Sequence, residues 1–286
     1  VPEGEDLWEV PKIYHANAWV LTRTREGYAW KVGFKLKQPV GYGMCVSTAD
    51  GVVCLGGQTG EKVFRDAFRL EWDAKEEALI QSPMPALPNA LTGGAAALIG
   101  DVVYVAGGQT EAGLDSATKH FWRLDLAAEE GQWEKLPPWP GPERAFNQMV
   151  AQHNGREMCL YLFGGRRQDA EVEGIEGIIP LSDVYEFSPA RHRSARAEAW
   201  RKRTPSPKLI MAGTAVAAGQ SHLFVVGYAD GEGIKKILND RTYEKNHEGF
   251  PKRAWAYHTI TDTWIDAGPL VANHVTTPAV KWGEDI

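Results

Sequence analysis

The sequence predicts an all-β protein, a six-bladed β-propeller, from three recurrences. Glycines recur after short apolar strands, a second strand type recurs ahead of them, and tryptophans recur at matching places downstream. The glycine units read "GVVCLGGQ" (Gly51 to Gln58), "DVVYVAGGQ" (Asp101 to Gln109), "CLYLFGGR" (Cys159 to Arg166) and a worn copy, "HLFVVGY" (His222 to Tyr228). Their first glycines, at 56, 107, 164 and 227, lie 51, 57 and 63 residues apart. An internal period of about 50 residues is the signature of a kelch-type propeller.

Each element of the unit follows in order. Ahead of the glycines lie "YGMCVST", "GGAAALI", "FNQMVAQ" and "GTAVAAG", joined to the next strand by short turns such as Ala49-Asp50-Gly51 and Asn154-Gly155, as in hairpins. Downstream come strands of the type "FWRLDL" and "DVYEFSP", then Trp-bearing strands such as "QWEKLPPWP", "AWRKRTPSP" and "TWIDAGPL". Four strands per repeat make one blade. Innermost strands crowd around a central channel, so a side chain at Gly164 or Gly165 is expected to collide with a neighbour. The tryptophans are expected to fill the widening wedge between blades.

The chain reads as one propeller domain over 1–286. Complete blades are expected at 41–88, 91–139, 144–205 and 209–268. Residues 7–40 read as the outer half of a blade, and 273–286 as an inner strand, a turn and a cut second strand. With two partial blades flanking four whole ones, the parent ring has six, and this chain lacks pieces at both ends.

Composition narrows the function. With 286 residues, 43% of them hydrophobic, a sizeable core is available. A formal net charge of -6 excludes a phosphate-tracking nucleic-acid binder. No apolar run is long enough to span a bilayer. Val1 to Asp6 show neither an initiator Met nor a secretory signal, which suggests a processed chain or a fragment. Cys45, Cys54 and Cys159 lack metal-ligand spacing and are read as buried free thiols, a disulfide between Cys45 and Cys54 being the alternative. No cofactor or metal site is expected.

Function belongs where loops converge on one mouth of the channel. Loops after the glycines bring Gln58, Gln109, Arg166, Arg167 and the insertion Ala229 to Phe250; loops entering the inner strands bring Tyr42, Arg144, Asn147 and Asn273. "KNHEGFPKR" (Lys245 to Arg253) offers His247 and Glu248 as weak catalytic candidates, against the plainer reading of a surface charge cluster. Asp183 reads as a turn residue, and the basic "SPARHRSARAEAWRKR" as a solvated rim loop.

The stretch Phe121 to Arg166, with its "PGPER" and "GGR", resembles the N-terminal blade region of bacterial sialic acid mutarotases (N-acetylneuraminate epimerases), which are six-bladed kelch propellers. The likeness continues through "LSDVYEFSP" and weakens in the Ala229 to Phe250 insertion. "GYAWKVGFKLKQPVGYGMCVSTADGVVCLGGQTGEKVFRDAFRLEW" (Gly27 to Trp72) resembles the C-terminal part of those enzymes yet comes first here. That order matches a circularly permuted group, some members of which are fused to a sodium–solute symporter.

The resemblance implies interconversion of the α and β anomers of N-acetylneuraminate, an acidic sugar. It also implies a periplasmic or membrane-associated setting. Ring opening and reclosure need one group to take the anomeric hydroxyl proton and another to protonate the ring oxygen, and the sugar carboxylate suits a guanidinium. Arg144 matches an arginine of the corresponding family loop; Arg144 or Arg166 is the expected carboxylate clamp. The family's Glu and Arg acid–base pair aligns beyond Ile286. The readings set against the mutarotase are a non-catalytic kelch module binding an acidic sugar or a protein, and a copper radical oxidase, whose clustered Tyr, His and Cys ligands do not assemble here.

Overall fold

Strand Val102–Ala106 is apolar throughout because both its faces are covered. Val103 and Val105 pack with Met44, Val46, Val53 and Leu55 on one side, while Tyr104 and Ala106 pack with Leu160, Leu162 and Phe187 on the other. That two-sided burial is the stacking of blades about an axis. The computed structural model describes residues 12–60, 62–172, 174–194, 198–240, 242–243 and 247–279.

Within them, four antiparallel four-stranded sheets form in sequence order. Ahead of these lies the hairpin β1 (Asn17–Thr24) and β2 (Gly27–Lys35). The first sheet holds β3 (Met44–Thr48), β4 (Gly51–Leu55), β5 (Ala67–Asp73) and β6 (Ala78–Pro83). The second holds β7 (Ala95–Ile99), β8 (Val102–Ala106), β9 (Phe121–Asp125) and β10 (Glu134–Lys135). The third holds β11 (Gln148–His153), β12 (Met158–Phe163), β13 (Val184–Phe187) and β14 (Trp200–Arg203). The fourth holds β15 (Thr214–Ala218), β16 (His222–Val226), β17 (Arg253–His258) and β18 (Thr263–Pro269). The fold is a β-propeller. Of the expected partial blades, residues 7–11 and 280–286 lie outside the described residues.

Three kinds of contact join consecutive blades. At the rim, the outer-strand tryptophans reach back one blade: Trp133 Nε1 donates to Pro85 O (2.8 Å), Trp200 to Pro137 O (2.9 Å) and Trp264 to Thr204 O (3.1 Å). Nearer the axis, the second glycine of each pair donates to the next blade: Gly57 N to Leu91 O (2.8 Å), Gly108 N to Arg144 O (2.8 Å) and Gly165 N to Ile210 O (2.7 Å). The predicted crowding is real. A Cβ on Gly164 would stand 2.3 Å from Ile210 O, and its φ of +63° is itself a left-handed value that favours glycine.

The third contact encircles the channel. Tyr42, Gly93, Phe146, Ala212 and Thr276 all have φ between +48° and +61°. From Gly93 on, each donates its amide to the carbonyl of the one before: Gly93 N to Tyr42 O (2.9 Å), Phe146 N to Gly93 O (2.6 Å), Ala212 N to Phe146 O (2.9 Å) and Thr276 N to Ala212 O (2.8 Å). Among the described residues nothing links Thr276 back to Tyr42. Five ring members and one open place make six.

One flank of the first sheet has no described inner strand against it. Val53 and Leu55 are buried against the second sheet, whereas Cys54 on the alternate face is only half-buried and its neighbour Cys45 is exposed. Cys159 is buried as expected; Cys45 departs from the expectation because no described inner strand covers its face. The β1–β2 hairpin covers the outer part, with Phe34 edge-on to Trp72 at 5.5 Å and Lys31 paired to Glu77.

The basic rim segment is also not simply solvated. It forms helix α1 (Pro189–Ser194), and Arg191 bonds Glu186 Oε1 at 2.9 Å. Arg203 lies 3.7 Å from the same carboxylate, which Tyr161 Oη also reaches at 3.1 Å. Glu186 is 1% exposed, so desolvation draws these cations inward to neutralise it.

Cys45 and Cys54 are directly paired across β3 and β4, Sγ to Sγ 3.5 Å, both free thiols. Counting from the two-residue turn at Thr48↔Gly51, they form a non-hydrogen-bonded pair, with Cα atoms about 4.5 Å apart, a spacing a disulfide spans. An excess of oxidised glutathione should therefore link Cys45 to Cys54, the two thiol hydrogens passing to the glutathione. Peptide mapping after alkylation checks it: Cys159 stays alkylatable, and a mixed disulfide at Cys159 instead contradicts the geometry.

Candidate active site at the channel mouth

The ring residues stand at the mouth because the chain turns there from a loop into each inner strand. They border a cavity of about 720 Å³ whose wall includes Tyr42, Phe146 and Thr276, the backbone of Gly93 and Ala212, and the arriving segment Lys12, Tyr14 and His15. A narrower space of about 170 Å³ continues below, past Asn147, Gln148 and Cys45. Tyr42 and Phe146 meet edge to face at 5.9 Å. A Cβ on Gly93 would lie 3.3 Å from the Phe146 ring, so glycine leaves that ring its place.

Arg166 packs against one residue of this wall, Phe146. Its backbone bridges Ala145, and its guanidinium lies over the Phe146 ring, 4.5 Å from the centroid. No hydrogen bond or ion pair occupies the guanidinium among the described residues. Burial pushes its pKa down to about 10. A half-buried arginine stacked on an aromatic face and left without a counterion is arranged to receive an anion.

Arg144 is a different arginine. Its side chain is fully buried; Nη1 donates to Gly164 O (3.0 Å), and Nη2 reaches both Asp183 oxygens (2.9 and 2.8 Å). It also lies over the rings of Trp139 and Tyr185. The expected role of carboxylate clamp is corrected: its carboxylate partner is internal, and Asp183, read as a turn residue, supplies it. Arg144 braces the third blade against its own glycine turn. The repeat carried the signal, because Arg144 sits two residues before a ring residue, where other blades place Leu91 and Ile210, both fully buried.

The remaining candidates divide. Gln58 and Gln109 are buried and organise their own loops: Gln58 Nε2 donates to Gly60 O and Tyr14 Oη, and Gln109 Nε2 to the carbonyls of Glu111, Ala112 and Gly113. Gln168 plays the same part in the third blade, bonding Val172 O and Gly174 O, which frees position 166 for an arginine. Arg167, on the alternate face, lies 3.8 Å from Glu143. Asn147 does line the cavity, its Nδ2 held by Ala106 O at 3.3 Å.

Glu248 and His247 do not come to the mouth. Glu248 is exposed and ion-paired to Lys236 on α2 (Glu232–Asn239) at 2.8 Å, which lowers its pKa, the reverse of what a general acid needs. His247 packs between Tyr243 and Phe250, and its Nδ1 accepts from Gly249 N at 2.9 Å. Asn273 bonds Glu248 O at 3.3 Å and belongs to the same surface cluster. Lys245 and Asn246 of that loop lie outside the described residues. The mouth residues not anticipated were Lys12, Tyr14, His15, Phe146 and Thr276.

Comparison with known proteins places this geometry. The family model of N-acetylneuraminate epimerase matches residues 84–282. A protein named N-acetylneuraminate epimerase from Pasteurella multocida (strain Pm70) is 37% identical over 158 residues, 54% of this chain and 36% of the relative. One of the same name from Haemophilus influenzae (strain PittEE) is 32% identical over 145 residues, 50% of this chain and 32% of the relative. The matched segments thus span about a third of these curated relatives. The solved structure of YjhT superimposes with a TM-score of 0.67 over 94% of this chain and 82% of that one, at 17% identity, a likeness of fold.

If Arg144 is a brace, R144A should lower stability by about 3–5 kcal/mol, the usual result of leaving one buried partner uncompensated, as read by chemical denaturation. The double variant R144M/D183N, which restores an apolar side chain like Leu91, should recover most of that loss. Its affinity for an acidic sugar should stay near that of the parent chain; a selective loss of affinity would return Arg144 to the binding site.

Proposed function

The chain belongs to the N-acetylneuraminate epimerase family, and from that premise we propose that it serves the interconversion of N-acetylneuraminate anomers by binding the sugar at the channel mouth. The observation that carries this reading is Arg166: uncompensated, half-buried and stacked on Phe146, a residue that lines the cavity. Its planar fork suits the sugar carboxylate. Tyr42 and Phe146 offer apolar faces to the sugar ring.

The reaction needs a proton taken from the anomeric hydroxyl and one given to the ring oxygen. On the described wall His15 is the imidazole, the side-chain type most often used in general acid–base catalysis. The roles supported by the geometry are charge recognition and orientation.

A pH argument follows from Arg166. Its folded pKa, about 10, lies below the ordinary value, so the charged form is penalised by folding. That penalty is present below pH 10 and disappears as pH rises through the ordinary arginine range. At neutral pH a bound carboxylate offsets it, and so does removal of the charge.

Accordingly, R166Q should keep or raise the melting temperature at pH 7 while weakening N-acetylneuraminate binding by about 1.5–3 kcal/mol, the scale of charge-assisted hydrogen bonds. Calorimetry checks the affinity, with neutral N-acetylmannosamine as control. Equal binding of both sugars before and after the substitution would sink the proposal. Relaxation of freshly dissolved α-anomer, followed by NMR, tests the reaction: acceleration by the chain supports an enzyme, and binding without acceleration gives the binding module.

A further inference from the structure

The throat below the ring carries a second feature, set by the main chain. In antiparallel pairing, successive residue pairs alternate between exchanging hydrogen bonds and facing outward. The two-residue turns at Thr48↔Gly51 and Ile99↔Val102 make those pairs hydrogen-bonded. Counting back by twos, Met44↔Leu55 and Ala95↔Ala106 are bonded pairs. The residues just ahead, Gly43 and Gly94, therefore turn their amides away from their own sheets. In the third blade Asn154 N donates to Glu157 O at 3.0 Å, and the same count turns the Asn147 amide outward. Gly213 holds the equivalent place before Thr214↔Val226.

Each of these strands is innermost, so outward means toward the axis. All four residues line the mouth cavity, and none of their amides has an acceptor among the described residues. The chain enters every inner strand from the mouth, so along each strand the amide comes before the carbonyl of the same residue. An incoming ligand meets a layer of donors first. The cations beside it agree in sign: Arg166 over Phe146, and Lys12 with its Nζ 5.2 Å from the Tyr42 centroid. The described wall holds no Asp or Glu.

We infer that the throat is an anion site, in which the main-chain amides of Gly43, Gly94, Asn147 and Gly213 take a small oxyanion such as a carboxylate. Converging backbone amides bind anions without a charged side chain, and Arg166 supplies the countercharge from the rim. That the anion is a sugar's carboxylate rests on the function proposed above; the donor layer itself rests on the strand ladder.

The test is a titration of the deuterated, ¹⁵N-labelled chain with sodium formate, formamide being the neutral control. The expected result is a saturable downfield shift of the Gly43, Gly94, Asn147 and Gly213 amides along one binding curve, absent with formamide. In R166Q the same amides should shift at saturation with affinity about tenfold weaker, the loss of roughly one charge-assisted bond. Formate shifts confined to the surroundings of Arg166, or equal shifts with formamide, would overturn the site. A following titration with N-acetylneuraminate separates the two proposals. If formate moves the four amides and the sugar does not, the anion site stands and the sugar reading falls; if formate leaves them still, the site falls whatever the sugar does.

Discussion

Blades of a propeller have no covalent reason to share an axis, and here the bond that makes them share it is a main-chain hydrogen bond between residues in the left-handed region. Four such bonds join Tyr42, Gly93, Phe146, Ala212 and Thr276 in succession. A left-handed backbone costs a non-glycine residue roughly 1–2 kcal/mol, and four of these five carry a side chain. That cost is sustained because each link also positions a turn into the next inner strand. The glycine-to-carbonyl contacts at Leu91, Arg144 and Ile210 donate forward to the next blade, while the ring bonds and the tryptophan clasps at the rim donate back. The three tiers hold one angle between neighbours at three radii.

This tiering separates structural charge from available charge. Arg144 and Glu186 lie among the packed blades, where an ion survives only with its partners fixed around it, and both have them. Arg166 sits one tier inward, on the loop side of the ring, where the blade offers an aromatic face and no carboxylate. Two arginines from one repeat thus do opposite things. The difference is their place in the repeat register, since their chemistry is the same.

The repeat itself was legible in the sequence, because glycine pairs, hairpin turns and tryptophans are each demanded by a steric or hydrogen-bonding need that recurs every blade. The site was legible only in outline. Arg166 follows a glycine pair and so reaches the mouth. Arg144 follows a proline-rich loop that resembles a binding loop, and burial decided its role, which a motif does not show. Phe146 and Thr276 went unrecognised because nothing in their side chains announces a positive φ; the signal was positional, two residues before the first strand residue in Tyr42, Gly93, Phe146 and Ala212 alike. Lys12, Tyr14 and His15 come from a segment with no repeat partner, so periodicity was silent about them. The helix α1 was hidden by the high charge of its sequence, whose arginines turn inward only because Glu186 is there to meet them.

The ring has a consequence for how such a mouth changes over time. Its links use only backbone atoms, so the side chain at each link is free to vary while the axis stays put. One position per blade is then an independent slot: glycine in one admits a neighbour's phenyl ring, tyrosine and phenylalanine in others form walls, alanine and threonine leave room. A lineage can exchange the contents of one slot without renegotiating the architecture. The inventory of ligands a propeller accepts is, in this sense, written in a short text of about six letters, read around the axis and largely uncoupled from the fold that displays it.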